Sequence, residues 1–170
     1  DRELISRAAK KSGFSEDLFE QLDKRATNSF LYSLTMFGSV GLNGMSLTDQ
    51  LYLAQANVIR EIAEDAPCVV VGRCADHVLR DFPNKFDFFI HGSIEDRIKR
   101  IQSCGDYEIE GKTPQAALEK MDKQRSTYYN YYTGKVWGKC DHYDMCINAG
   151  RLGVEHSVDI ILEYVNRLKK

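Results

Sequence analysis

Between Glu3 and Lys11 the apolar positions Leu4, Ile5, Ala8 and Ala9 return at helical spacing, and Gly13 supplies a C-terminal stop. A second helix is predicted after Ser15, an N-cap followed by Glu16 and Asp17 at the positive helix end and by Leu18, Phe19 and Leu22 as its buried stripe. Residues 26–47 lose the pattern. Ser, Gly, Asn and aromatics follow one another without a period there, which predicts a long irregular excursion, and such loops in compact domains are usually functional or mobile. Periodicity returns from about Thr48 to Ala63, where Leu51, Ala54, Val58 and Ile62 share one face until Ala66-Pro67 breaks the helix.

Short apolar runs then replace the helical period. Cys68-Val69-Val70-Val71, ending at Gly72, and Phe86-Asp87-Phe88-Phe89-Ile90, after a short helical stretch and Pro83, both read as buried strands. Ser93 to Asp96 opens a helix by its capping pattern, and Thr113-Pro114 starts a long one reaching towards Tyr132. A third strand is predicted at Tyr143–Ile147. Past Gly153 comes a closing helix with Val154, Val158, Ile161, Leu162 and Val165 inward. Strand, helix, strand, helices, strand, helix is an α/β order with a parallel sheet.

The 170 residues suit one domain, and 43% hydrophobic with 28% charged residues is ordinary globular composition. No apolar run nears the roughly 20 residues of a bilayer-spanning helix, and no signal-peptide pattern follows Asp1, so a soluble protein is expected. The net charge of −2 gives no general attraction to nucleic acid or to an anionic membrane. Its distribution says more: residues 97–139 carry nine basic and five acidic side chains, and no acid stands between Lys123 and Cys140. A localised anion, such as a phosphorylated small molecule, is one partner for that stretch, and a solvated face is the other reading. Five cysteines without a C-x-x-C pair signal neither a disulfide framework nor a common zinc site, and Cys140-x-His142-x-x-x-Cys146 lacks a fourth ligand. No resident metal is expected, and a reducing cytoplasm fits.

Ligands of an open parallel sheet gather at the carboxyl ends of its strands, where Gly72-Arg73 must fall. Glycine allows the sharp turn, and a guanidinium there can grip phosphate through two parallel hydrogen bonds; a salt bridge to Asp76 is the structural alternative. Arg97 and Arg100 lie three apart on one helix, and Lys123 and Arg125 fall on the next. A hinged pair of helices could converge these four cations on a moving phosphoryl group. Gly111-Lys112-Thr113 imitates the tail of a phosphate loop, but position 106 is Asp where glycine is needed and no strand precedes it. Gly38-x-x-Gly41-x-x-Gly44 reads as flexible loop. The tyrosines at 128, 129, 131 and 132 cover more than one helix face, so packing is their main role, with at least one left near solvent or ligand. The four histidines have no Ser or Cys partner at a hydrolase spacing.

Several of these segments together resemble a known family. Val69-Val-Val-Gly-Arg-Cys-Ala-Asp76, Asp122-Lys-Gln-Arg-Ser-Thr-Tyr-Tyr129, Tyr132-Thr133, Trp137-Gly138, Tyr143-Asp144, Ile147-Asn148 and Leu152-Gly153 are similar to the cytidylate-kinase-like family of P-loop nucleoside monophosphate kinases. The opening Asp1 to Ile5 looks like the segment after that family's first helix and second strand. The resemblance implies a single nucleotide-kinase-like domain over residues 1–170: a three-layer P-loop kinase-type parallel sheet flanked by helices, with an acceptor-side loop at 26–47 and a helical lid at about 97–139. It implies transfer of the γ-phosphoryl of Mg-ATP to a nucleoside monophosphate, CMP or dCMP first.

By position, Arg73 would hold the acceptor phosphate, with Asp76 near its sugar or base. Arg97 would lie against the ATP adenine with Arg100 nearby, and Lys123 and Arg125 would close over the transferring group. Two departures stand out. Val71 replaces the acid that precedes Gly in true cytidylate kinases and could organise Mg²⁺. The phosphate loop and first strand would lie about 30 residues before Asp1, the size of one βαβ unit, and are absent from the chain, so weak ATP binding and little turnover are expected of it as it stands. An inactive nucleotide-binding or regulatory module, or an interaction domain whose basic lid is only surface, are the alternatives.

Overall fold

The computed structural model describes residues 6–10, 13, 44–104 and 113–168. The chain divides into two compact units, Asp1–Asp81 with Gln124–Lys135 and Phe82–Lys123 with Val136–Lys170. The predicted helix after Ser15, almost all of the irregular region 26–47 and the imitation phosphate loop fall outside the described residues, as do both ends of the helix predicted over Glu3–Lys11.

In the first unit residues 6–10 are helical with Ala8 and Ala9 buried. Helix α1, Leu47–Asp65, begins where Ser46 provides a local cap: its Oγ accepts from the Asp49 backbone N–H at 3.1 Å and donates to Asp49 Oδ2 at 2.7 Å. This satisfies one of the donors every helix start leaves open. The helix buries Leu51, Gln55, Ala56, Val58 and Ile59, while Ala54 and Ile62 are half-buried, so its inner face is turned towards Gln55 and Ile59 from the face expected. It stops before Pro67, as the proline requires.

Cys68–Val71, expected to be a strand, pairs with no strand among the described residues. Extended chain becomes a strand only when its N–H and C=O groups find a ladder, and among the described residues none reaches this run. Val69 and Val71 are consequently 95% and 73% exposed, against the expectation of burial. Gly72, Arg73 and Cys74 then take three successive left-handed conformations, φ +69°, +56° and +54°, before the single-turn helix α2, Ala75–Val78. Cys74, Ala75, Val78 and Leu79 are buried beneath this corner.

The second unit holds the sheet. β1, Phe88–His91, and β2, Met145–Asn148, pair in parallel with Phe88 opposite Met145 and Ile90 opposite Ile147. Asp87 and Asp144 tie the entry of the ladder: the Asp144 N–H donates to the Asp87 carbonyl at 2.8 Å and the Asp87 N–H to Asp144 Oδ2 at 2.6 Å. α3, Ile94–Cys104, leaves β1 through the predicted cap, in which Ser93 Oγ accepts from the Asp96 N–H at 3.1 Å and donates to its carboxylate at 2.9 Å. α4, Pro114–Thr133, starts in this unit with Thr113 before it and runs on into the first at Gln124. α5, Ala149–Leu152, capped by Asn148, and α6, Val154–Leu168, follow β2.

Aromatic side chains fill the space around β1. Phe86 and Phe88 meet Tyr164 of α6 edge-on, and Phe89 sits against Trp137 and Tyr143 with ring centroids 5.2 and 5.0 Å away. Gly138 passes so close over Phe89 that a Cβ would stand 3.0 Å from the ring, and its φ of +76° suits glycine besides. The described residues thus form a helix-rich α/β fold with a two-stranded parallel sheet. Two strands are too narrow to cover a whole helix face, so Val154, Val158 and Leu162 of α6, expected inward, remain 50%, 47% and 54% exposed. Ile90 of β1, expected buried, is 49% exposed for the same reason. No described helix is long and apolar enough to cross a membrane.

Candidate functional site

Three of the candidate residues belong to the first unit: Arg73, Asp76 and Arg125. Arg73 is the middle residue of the left-handed run, half-buried at the mouth of α2. Non-glycine residues in that conformation are uncommon and cost of order 1–3 kcal/mol, which the packing beneath must over-determine. That packing is visible in Cys74, whose thiol pKa burial, and then the Asp76 charge, push up to about 12. Asp76 has an 11% exposed side chain; it accepts a 2.7 Å hydrogen bond from the Tyr129 hydroxyl, and Lys135 Nζ lies 3.7 Å from the same oxygen. The carboxylate therefore joins α2 to the end of α4.

The tyrosines of α4 are used chiefly for packing, as their spread over the helix predicts. Tyr129 is buried; Tyr132 stacks on Tyr52 with centroids 3.9 Å apart and planes 9° from parallel, and its hydroxyl donates to Asp49 Oδ1 at 3.2 Å. Burial first, then Tyr128 and the Asp49 carboxylate, push the Tyr132 phenol well above its ordinary pKa. Tyr131 is left 51% exposed, the aromatic expected near solvent. Arg125 is exposed two positions after Lys123, and residues two apart on a helix do not share a face.

Arg97, Arg100 and Lys123 belong to the second unit. Here the carboxyl ends of both strands are closed by glycine: a Cβ built on Gly92 would meet the Gly150 backbone at 3.4 Å and Arg97 Cγ at 3.7 Å. A Cβ on Gly150 would strike Asp96 Oδ2 at 2.6 Å and crowd its Cβ at 3.0 Å, so any larger residue there would displace the Asp96 side chain at the capped start of α3. The stem of Arg97 thus lies beside the strand ends, where an open α/β sheet collects its ligands. Its guanidinium makes a fork with Asp122 of α4, Nη1 to Oδ2 at 2.5 Å and Nη2 to Oδ1 at 2.8 Å. The Asp122 hydrogen bond holds Arg97 more firmly in its charged form. Arg100 and Lys123 are exposed. Among the described residues no group of three His, Cys, Asp or Glu side chains could hold a metal ion.

A family model described as the cytidylate kinase-like family matches residues 1–151. The chain belongs to that family. An uncharacterized protein from Eubacterium ventriosum, known from its crystal structure, is 35% identical over 71% of this chain and 74% of its own, with a TM-score of 0.61. No curated protein matches. The Arg73 corner and the Asp122–Tyr129 stretch both lie inside the matched residues.

Sequence reasoning named the six candidates but missed the side chains that hold two of them. Asp122 and Tyr129 stand within the quoted family segments, yet nothing local couples Asp122 to a residue 25 positions earlier or Tyr129 to one 53 earlier. Lys135 carried no signal beyond its charge.

Proposed function

We propose that the protein is a nucleotide kinase that moves the γ-phosphoryl group of ATP to a nucleoside monophosphate, with CMP and dCMP the first acceptors to test. The observation that carries this reading is the family match over residues 1–151. Arg73 takes the acceptor phosphate, a role that suits a guanidinium held at a rigid left-handed corner. Asp76 stands near the acceptor's sugar or base, three residues further on. Arg97 and Arg100 receive the donor nucleotide, and Lys123 and Arg125 bring positive charge to the transferring group, whose equatorial oxygens carry the charge that has to be stabilised. Mg²⁺ would come as part of the ATP substrate, where it would offset charge on the phosphates, and no side chain is assigned to hold it.

The same reading makes residues 1–170 one kinase-like domain with a three-layer sheet, in which Cys68–Val71 is a further strand. The exposed apolar surface supports it: Val69 and Val71 in one unit, Ile90 and the Val154, Val158 and Leu162 stripe in the other, are surfaces that an added strand would cover. A second reading is a nucleotide-binding module without turnover, favoured by Val71 at the position of the family's acid.

The test is transfer of radiolabelled γ-phosphate to CMP, dCMP, UMP and AMP by the polypeptide its gene encodes. Labelled diphosphate that appears with CMP, and falls by at least about tenfold in Arg73→Ala, is the expected result. Saturable CMP binding without labelled product favours the module; neither binding nor product defeats both readings.

A further inference from the structure

The Arg97–Asp122 fork has a role that goes past the assignment of Arg97 to the donor nucleotide, and it rests on that assignment. We propose that Asp122 is a positioning residue for the donor: it locks the plane of the Arg97 guanidinium at the strand ends and cancels its charge, so that Arg97 offers a flat face to the base and does not grip phosphate.

Three observations converge on this. The fork is bidentate, at 2.5 and 2.8 Å, and two parallel bonds from one planar group to another fix orientation as well as distance. Both side chains are partly enclosed, 28% and 29% exposed, so water screens the pair less than it would at an open surface while part of each remains reachable by a ligand. The stem is fixed too, since Arg97 Cγ lies against the close approach of Gly92 and Gly150, just after the Ser93 cap. An arginine pinned at both stem and head has little rotamer freedom left to lose on binding.

The charge argument then selects the kind of contact. A guanidinium whose positive charge is matched by a carboxylate at hydrogen-bond distance is a poor anchor for a polyanionic triphosphate, because the same carboxylate repels it. The faces of the guanidinium stay outside the fork, and a planar cation face is a good surface for an aromatic base. Arg100, exposed three positions further along α3 and carrying a planar fork that the neighbouring exposed Lys99 lacks, is better suited to phosphate.

Steady-state kinetics on the full gene product tests this, with Asp122→Ala, Asp122→Asn, Asp122→Glu, Arg97→Ala and the double variant Arg97→Ala/Asp122→Ala. The expected result is a rise of roughly ten- to a hundredfold in the KM for ATP in Asp122→Ala and Asp122→Asn, with kcat and the KM for CMP within about twofold of the parent. Asp122→Glu restores part of the loss, and the double variant has a KM for ATP no higher than that of Arg97→Ala, because the carboxylate acts on the donor through the arginine. Emission of the single Trp137, which packs on β1 in the same unit, reports whether each variant is folded, and Asp122→Asn keeps the shape should Asp122→Ala not fold. An unchanged KM for ATP in every folded Asp122 variant overturns the inference and leaves the kinase reading standing. Equal rises for ATP and CMP, tracking a fall in stability, overturn it too, since that is a structural effect. A parent protein that binds no ATP removes the donor assignment and this inference together.

Discussion

Burial decides which cysteine thiols are chemically available. Cys74 is 4% exposed, and its thiol is pushed up to about 12 by burial and by the neighbouring Asp76, so almost none of it is thiolate at neutral pH. Cys68 and Cys140 are exposed. Brief alkylation with iodoacetamide at pH 8, read by peptide mass spectrometry, is therefore expected to mark Cys68 and Cys140 well before Cys74; equal labelling would show that the left-handed corner opens. The hydroxyl of Tyr129 presents a second residue-scale case. It donates to a carboxylate that is 11% exposed, and Tyr129→Phe leaves that oxygen short of a partner at a cost of about 1–3 kcal/mol in urea denaturation. His77, in the same α2 turn, has its pKa lowered by burial first and by Arg80 next. A depressed folded-state value means that the unfolded chain binds the proton more readily. The contribution of His77 to stability is thus present above the ordinary imidazole range and lost as pH falls through the folded value, and an NMR titration should place its midpoint below 6.5, the ordinary imidazole value.

At the scale of the element, what could be read in advance is what a few neighbouring residues decide among themselves. Ser93 and Thr113-Pro114 mark helix starts because the partner of a cap lies three residues away in the same chain, whereas the equally local Ser46 cap stands ahead of the start expected at about Thr48. Ser46→Ala should lower stability by about 1 kcal/mol, and Ser46→Thr, which keeps a hydroxyl to accept from the Asp49 N–H and donate to its carboxylate, should restore most of it, by thermal or urea unfolding. Where the deciding partner is distant, the reading weakens. The run Cys68–Val71 has the composition of a buried strand, but composition supplies no ladder, and the outcome turns on what lies alongside. The α6 stripe fails in the same way: its period was legible, yet how many of its residues are covered depends on the width of the sheet beneath. For the site, a strand-end signal marks Arg73 and the spacing to Arg100 on one helix marks Arg97; no ladder among the described residues precedes Arg73, while the stem of Arg97 does lie beside the end of β1. The Asp122 carboxylate that holds Arg97 and the Tyr129 hydroxyl that holds Asp76 act across 25 and 53 residues and leave no local trace.

For the molecule as a whole, the open question is what the exposed apolar surface is for, and the valines of residues 69–71 offer the sharpest measurement. As an exposed run, Val71 contributes little: with 73% of its surface in water, Val71→Thr or Val71→Asp changes stability by no more than about 0.5 kcal/mol. In the strand that the kinase proposal gives this run, the same side chain is enclosed, and a buried, unpaired carboxylate costs several kcal/mol. The kinase proposal requires the second outcome, because Arg73 can meet a phosphate at the edge of a sheet only if the residues before it lead there as a strand. Val71→Asp in the full gene product should therefore lower the urea midpoint sharply, with Val71→Thr intermediate and Val69→Thr similar, since positions two apart on a strand share a face. Lys85→Gln, on a side chain of the other unit that pairs with Asp87 at the partly exposed entry to β1, serves as the control and should stay within about 1 kcal/mol of the parent. If Val71→Asp behaves like that control, the 68–71 run is surface in the working protein, and Arg73 has no sheet edge from which to serve an acceptor.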